Sequence, residues 1–146
     1  MPTARRSRTI AAQAPELWEV VADPHHLPRW WPRVARVEDV EGNAFTEVMK
    51  TAKGKTVRAD FALVDADETS RTLRWEQQLA GTPFGRLLSS AATEVRLEDA
   101  PEGTRVTIEL RQRLTGILPR LGSWMVRRAA VATIEEALDG LERISG

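Results

Sequence analysis

The sequence predicts an α+β fold: a curved antiparallel sheet of about six or seven strands wrapped around one long C-terminal helix. Two short helices follow the first strand. Three observations carry this reading. Short apolar runs separated by turn residues fill most of the chain. The later runs alternate apolar and charged residues with period two, so each has one wet and one covered face. The last stretch instead repeats its apolar residues at spacings of three and four, the pattern of an amphipathic helix.

The elements follow in order. Residues 5–10 form a first strand. Ala14 to Val21 reads as a short helix, with Pro15 suited to its first turn and Leu17, Trp18, Val20 and Val21 on an apolar face. Asp23-Pro24 ends it, because the residue before proline avoids helical backbone. A second short helical segment, 25–31, carries Trp30 and Trp31 and stops at Pro32. Strands are then expected over 34–40, 45–51, 56–64, 73–79, 93–97 and 105–114. Turn residues fill the gaps, among them Gly42-Asn43, Gly54 and Pro101-Glu102-Gly103. In the last two strands Val95 and Leu97, and Val106, Ile108 and Leu110, face one way. Opposite charges suggest a register: Leu97 across from Ile108 sets Glu94 against Arg111 and Arg96 against Glu109. The final helix spans 119–144. Leu121, Trp124, Met125, Ala132, Ile134, Leu138, Leu141 and Ile144 form its apolar stripe, which lies in the concave face of the sheet.

Composition narrows the function. A chain of 146 residues suits a single domain over 1–146 with a full core. Its 21 basic and 21 acidic residues balance, which argues against nucleic acid as a partner. The basic cluster Arg5-Arg6-Ser7-Arg8 reads as a solvated strand end. With no cysteine there is no disulfide framework, thiolate metal site or thiol nucleophile. No apolar run has the length of a membrane span and no signal peptide opens the chain, so a cytoplasmic protein is expected. An exposed sheet edge permits a homodimer without demanding one.

A curved sheet cannot touch a straight helix along its whole length, and the gap is where a small-molecule cavity belongs. Polar residues on the covered faces are its first candidates. Gln77, Thr93 and Gln112 fall there, and a buried amide without a partner costs about 1–3 kcal/mol. They bond either to one another and the backbone, or to a ligand. Trp75 on an inward row and Trp124 on the last helix supply aromatic walls suited to a flat, apolar molecule. Trp18 reads as core. Arg128, four residues after Trp124, is placed either to polarise a ligand carbonyl or to reach solvent. Glu47 turns inward if Phe45 and Met49 do, and burial there would perturb its carboxyl enough to make it a base. The catalytic candidates are therefore Arg128, Glu47 and Gln112. His25 and His26 are adjacent, point in different directions and lack an acid partner, so they read as surface or helix-start residues and not as metal ligands. No cofactor motif is present: residues 81–85 are glycine-rich but lack the lysine and helix of a phosphate loop. That loop is expected at the cavity mouth, with Phe84 as a lid residue and Arg86 as a further cation.

Ile10, Ala14-Pro15, Trp18, Asp23-Pro24, Pro28, Trp30, Pro32 and Val34 sit close to a recognisable spacing. It resembles that of the START-like, or SRPBCC, superfamily, in its polyketide cyclase/dehydrase and lipid-transport branch. The segments 103–107 and 115–118 are similar to that branch's closing strand and helix entry. The resemblance implies the helix-grip fold and a pocket for an apolar molecule. It also implies that the second short helix roofs the pocket, with Trp30 at the family position. The ligand-binding residues expected on this basis are Trp30, Trp75, Gln77, Thr93, Gln112, Trp124 and Arg128. Three functions fit: a carrier of a small hydrophobic molecule such as a lipid or polyketide, a cyclase/dehydrase promoting aldol closure or dehydration, or a partner-binding module like the family's co-chaperone-like and quinone-binding members. Cyclases of the family use arginine, tyrosine, serine and tryptophan in the pocket, and this chain has no tyrosine.

Overall fold

The computed structural model describes residues 3–51, 53–82, 85, 88–115 and 120–145, the side chains of 120–123 excepted. Among these residues the strands are β1 (Thr3–Ile10), β2 (Val34–Glu41), β3 (Ala44–Lys50), β4 (Thr56–Asp67), β5 (Thr72–Gln77), β6 (Leu88–Ala100) and β7 (Gly103–Leu114). The helices are α1 (Ala14–Val21), α2 (Leu27–Trp30) and α3 (Arg120–Ser145). The seven strands form one sheet in the order β1-β7-β6-β5-β4-β3-β2, with antiparallel pairing throughout. This is the helix-grip arrangement: the sheet curves around α3, and β-bulges in β2, β4 and β6 supply bends.

Local chemistry explains the entry to the sheet. Pro15 occupies the first turn of α1, and the Ala22 N–H closes its end on the Trp18 carbonyl at 2.9 Å. The Asp23 carboxylate accepts the His25 N–H at 3.0 Å and caps a short 3-10 turn, Pro24–His26, that leads into α2. His25 and His26 sit at this entry as expected, but the expectation that they lack an acid partner is corrected: the 3-10 turn brings Asp23 within 2.9 Å of His25 Nδ1 and 3.8 Å of His26 Nε2.

Ile10, Leu17, Leu27, Trp30, Leu73, Val95, Ile108, Ile134, Leu138 and Leu141 make the centre of the core. Two glycines permit close approaches. A Cβ on Gly140 would stand 2.3 Å from the Trp30 carbonyl oxygen, so α3 packs directly on the backbone of α2. A Cβ on Gly103, at φ +145°, would lie 2.1 Å from the Ile10 carbonyl oxygen, which lets the β6–β7 turn close against the end of β1. Arg8 holds β1 to the second half of α3. Its guanidinium donates to Asp139 at 2.6 Å, Glu135 at 2.8 Å and Glu142 at 3.1 Å. Of the basic N-terminal cluster, Arg8 is thus an ion-pair centre and not simply a solvated strand end.

Two expectations are corrected. The observed β6–β7 register pairs Leu97 with Val106 and Val95 with Ile108, which sets Glu94 directly across from Glu109. The cause is the turn: Ala100 pairs with Gly103 around the two residues Pro101-Glu102, and a turn of that length leaves no freedom in the register. Charge is balanced elsewhere. Arg74 stands opposite Glu94 on β5, Arg96 binds Glu94 at 3.0 Å, and Arg111 binds Glu109 at 2.5 Å.

The buried stripe of α3 also differs. It runs through Ala130, Ile134, Ala137, Leu138 and Leu141, while Trp124 and Met125 are 56% and 58% exposed and Ala132 is exposed. At about 100° per residue, Met125 lies nine residues, or half a turn net, from Ile134 and faces away from it. Trp124 is displaced by nearly a quarter turn. Trp124 and Met125 thus lie off the buried stripe on exposed faces of the helix, and the Leu121 side chain lies outside the described residues.

Candidate functional site

Between the sheet and α3 lies a cavity of about 350 Å³, at the small end of the range for small-molecule sites. Every central strand contributes to it. Glu47 and Met49 come from β3, Phe61 from β4, Trp75 and Gln77 from β5, Thr93 from β6, Leu110 and Gln112 from β7. Period-two alternation puts them on one face, and the register aligns them: Phe61 pairs with Gln77, Trp75 with Thr93, Thr93 with Leu110. Val126, Ala129, Ala130 and Thr133 of α3 form the opposite wall. Small side chains at Ala129, Ala130 and Thr133 leave the volume between helix and sheet unfilled.

Aromatic rings shape one end. Trp31, just after α2, meets Trp75 edge-on, with ring centroids 5.6 Å apart. Trp30 sits behind Trp31 at 5.4 Å, also edge-on. The expectation that Trp30 would face the pocket is therefore corrected. Trp30 is 2% exposed and packs in the core with its indole Nε1 unpartnered among the described residues, while Trp31 supplies the wall. A four-residue helix followed by extended backbone at Trp31 turns the two neighbours in different directions. Trp31 was the residue that reasoning from the sequence missed; the adjacent pair was visible, but its facing was not.

The polar candidates divide sharply. Gln77, Thr93 and Gln112 line the cavity, and no side-chain hydrogen bond joins them to one another or to the backbone among the described residues. Glu47 also lines it and is 2% exposed. Its Oε2 is buried and without a partner among the described residues, and burial alone pushes its carboxyl up to about 8. Arg128 does not join them. Its guanidinium lies over the exposed Trp124 ring at 5.4 Å, in a cation–π contact on the outer side of α3. Trp124 and Arg128 thus stand together away from the cavity wall, because the cavity-facing stripe of α3 passes through Val126 and Ala130 instead. Phe84 and Arg86 lie outside the described residues.

The site accordingly offers aromatic and aliphatic walls, three neutral polar side chains and one strongly perturbed carboxyl. It has no charge pair or metal cluster among the described residues. A helix-grip domain with such an interior is a cavity protein of the START class. The whole chain, residues 1–146, matches the family of polyketide cyclase/dehydrase and lipid-transport proteins, and it belongs to that family. Solved structures agree in fold. One domain of the di-domain ARO/CYC BexL from the BE-7585A biosynthetic pathway superposes with a TM-score of 0.81 at 22% identity, over 98% of this chain and 46% of that one. A START superfamily protein from Mycobacterium smegmatis gives a TM-score of 0.77 at 15% identity, covering 98% and 96%. A protein from Thermus thermophilus gives 0.75 at 25% identity, covering 97% and 95%. No curated protein is significantly similar in sequence. Among the described residues, no helix is long and apolar enough to cross a membrane.

Proposed function

We infer that the protein takes up a small, flat, largely apolar molecule in the cavity between sheet and α3. The observation that carries this reading is the lining itself. Trp31, Phe61 and Trp75 offer ring faces and edges, Gln77, Thr93 and Gln112 present polar groups without a side-chain partner among the described residues, and Glu47 Oε2 is both buried and unpartnered. Unsatisfied polar groups in an apolar cavity cost free energy unless a ligand or water meets them. Trp31, Trp75, Gln77, Thr93 and Gln112 are the binding residues in this reading, with Glu47 added. The test is native mass spectrometry of the purified protein beside a denaturing run. A small molecule released on denaturation supports uptake and defines its class. Gln112→Leu should then weaken its retention, and retention unchanged by that substitution and by Trp31→Leu would sink the assignment of the cavity.

One observation favours a second reading, a cyclase/dehydrase acting by aldol closure or dehydration. A carboxyl that exchanges its proton near pH 8 is suited to general acid–base work at physiological pH, and Glu47 is such a group. The BexL domain of similar fold belongs to a di-domain ARO/CYC from a biosynthetic pathway. Turnover of a poly-ketone substrate that disappears in Glu47→Gln while ligand uptake persists would establish catalysis; uptake without turnover of any such substrate leaves the carrier.

A further inference from the structure

Glu47 poses a problem that the cavity must solve. It is the one ionisable side chain on the described wall, and it has no counter-charge. Across β2 stands Val37 and across β4 stands Ala59. From α3 the cavity receives Val126, Ala129, Ala130 and Thr133, and from the end of α2 it receives Trp31. The charged neighbours Arg36, Glu38, Arg58 and Asp60 occupy the opposite face of the sheet by strand alternation. There Arg58 binds Glu38, and Asp60 accepts from Thr46. A carboxylate without a cation in such a place is costly, whereas a carboxylic acid is an ordinary hydrogen-bond donor.

We propose that Glu47 meets the ligand as a neutral carboxylic acid, and that the cavity therefore selects uncharged flat molecules carrying a carbonyl or similar hydrogen-bond acceptor. This rests on the cavity being a ligand site. The unpartnered Oε2 opens on the same cavity that Trp31, Phe61 and Trp75 line, so a planar molecule held between those rings can present an acceptor on its edge to the carboxyl. Burial that keeps the proton on Glu47 to about pH 8 makes the donor present under neutral conditions and absent in alkali. The opposite choice, an organic cation paired with a Glu47 carboxylate beside the Trp31 and Trp75 rings, requires the carboxyl to ionise where burial and the lack of any counter-charge favour its neutral form. Uptake thereby becomes pH-dependent: an acceptor-bearing ligand is released as the carboxyl ionises.

The test uses two probes of nearly equal shape, 9-fluorenone and fluorene, which differ by one carbonyl. Binding is followed by quenching of the tryptophan fluorescence at pH 6 and pH 9. Fluorenone should bind roughly three- to tenfold more tightly than fluorene at pH 6, the worth of one buried hydrogen bond. That preference should vanish at pH 9. Glu47→Leu should lose it at both pH values, and Glu47→Gln, whose amide donates without titrating, should keep it at both. Equal affinity for the two probes at pH 6, or a preference untouched by pH in the native chain, overturns the proposal while leaving the cavity as a site for apolar molecules. A (2-naphthylmethyl)trimethylammonium probe, charged at both pH values, bound more tightly at pH 9 than at pH 6 overturns it in favour of cation binding. If neither fluorenone nor fluorene binds, uptake of flat molecules fails, and this inference fails with it. The native chain needs no substitution to show the pH effect, so a variant that folds poorly cannot mask the result.

Discussion

At the scale of single residues, Glu47 couples stability to pH. Its ordinary value is 4.5 and burial raises it to about 8 in the folded protein. The folded state binds this proton more tightly than the unfolded chain. The stabilisation that follows is fully present below about pH 4.5 and is lost as pH rises through about 8. Glu47→Gln removes the titration, so its stability relative to the native chain should improve between pH 5 and pH 9, by an amount on the order of several kcal/mol. Urea denaturation at the two pH values measures it, and a difference that stays constant contradicts the assignment. The tryptophan pair divides similarly. Trp30→Ala, deep in the core, should cost about 3–5 kcal/mol of stability. Trp31→Leu should retain the fold and instead weaken binding of a flat probe, because Trp31 is the ring on the cavity wall. Thermal unfolding and probe titration of both variants separate the roles. Adjacent tryptophans before Pro32 were legible in the chain, but which of them lines the cavity depends on a single change of backbone from helical to extended.

Elements meet at two places where substitution should be felt. Gly140→Ala forces a methyl group against the Trp30 carbonyl, so α2 and α3 must separate. Alanine is the better helix former by about 1 kcal/mol, and the clash should still leave the variant less stable by about 1–3 kcal/mol. A melting temperature equal to or above that of the native chain would show that the two helices do not pack as described. Arg8→Leu removes the centre of three ion pairs between β1 and α3. The three carboxylates are half exposed, so the loss should be near 1 kcal/mol, and smaller in high salt. Denaturant titrations at low and high ionic strength check both parts. The strands were readable one by one, since period-two alternation is local. Their pairing was not. A charge rule worth a few tenths of a kcal/mol per pair favoured one β6–β7 register, and the two-residue turn at Pro101-Glu102 imposed another.

The cavity belongs to the whole molecule. It exists because a bent sheet and a straight helix separate, and because α3 presents Ala129, Ala130 and Thr133 where larger side chains would fill the gap. Ala91→Phe, on the inner face opposite Gln112, should occupy that space. Binding of a flat probe should fall by at least about tenfold, while the fold persists with near-native stability, since filling a void restores contacts. Full probe binding in a folded Ala91→Phe protein would mean that the ligand sits elsewhere. Local patterning was enough to place seven strands, the long C-terminal helix, the α+β class and the inward facing of Gln77, Thr93 and Gln112, because alternation depends only on neighbours in the chain. The full length of β6, Leu88–Ala100 where 93–97 was expected, and the facing of Glu47 were settled by pairing with neighbouring strands. Whether Trp124 and Arg128 share that interior was decided by the helix's rotation about its own axis. That rotation is set by packing of Ile134, Ala137, Leu138 and Leu141 against the sheet and of Gly140 against α2, contacts between residues distant in sequence.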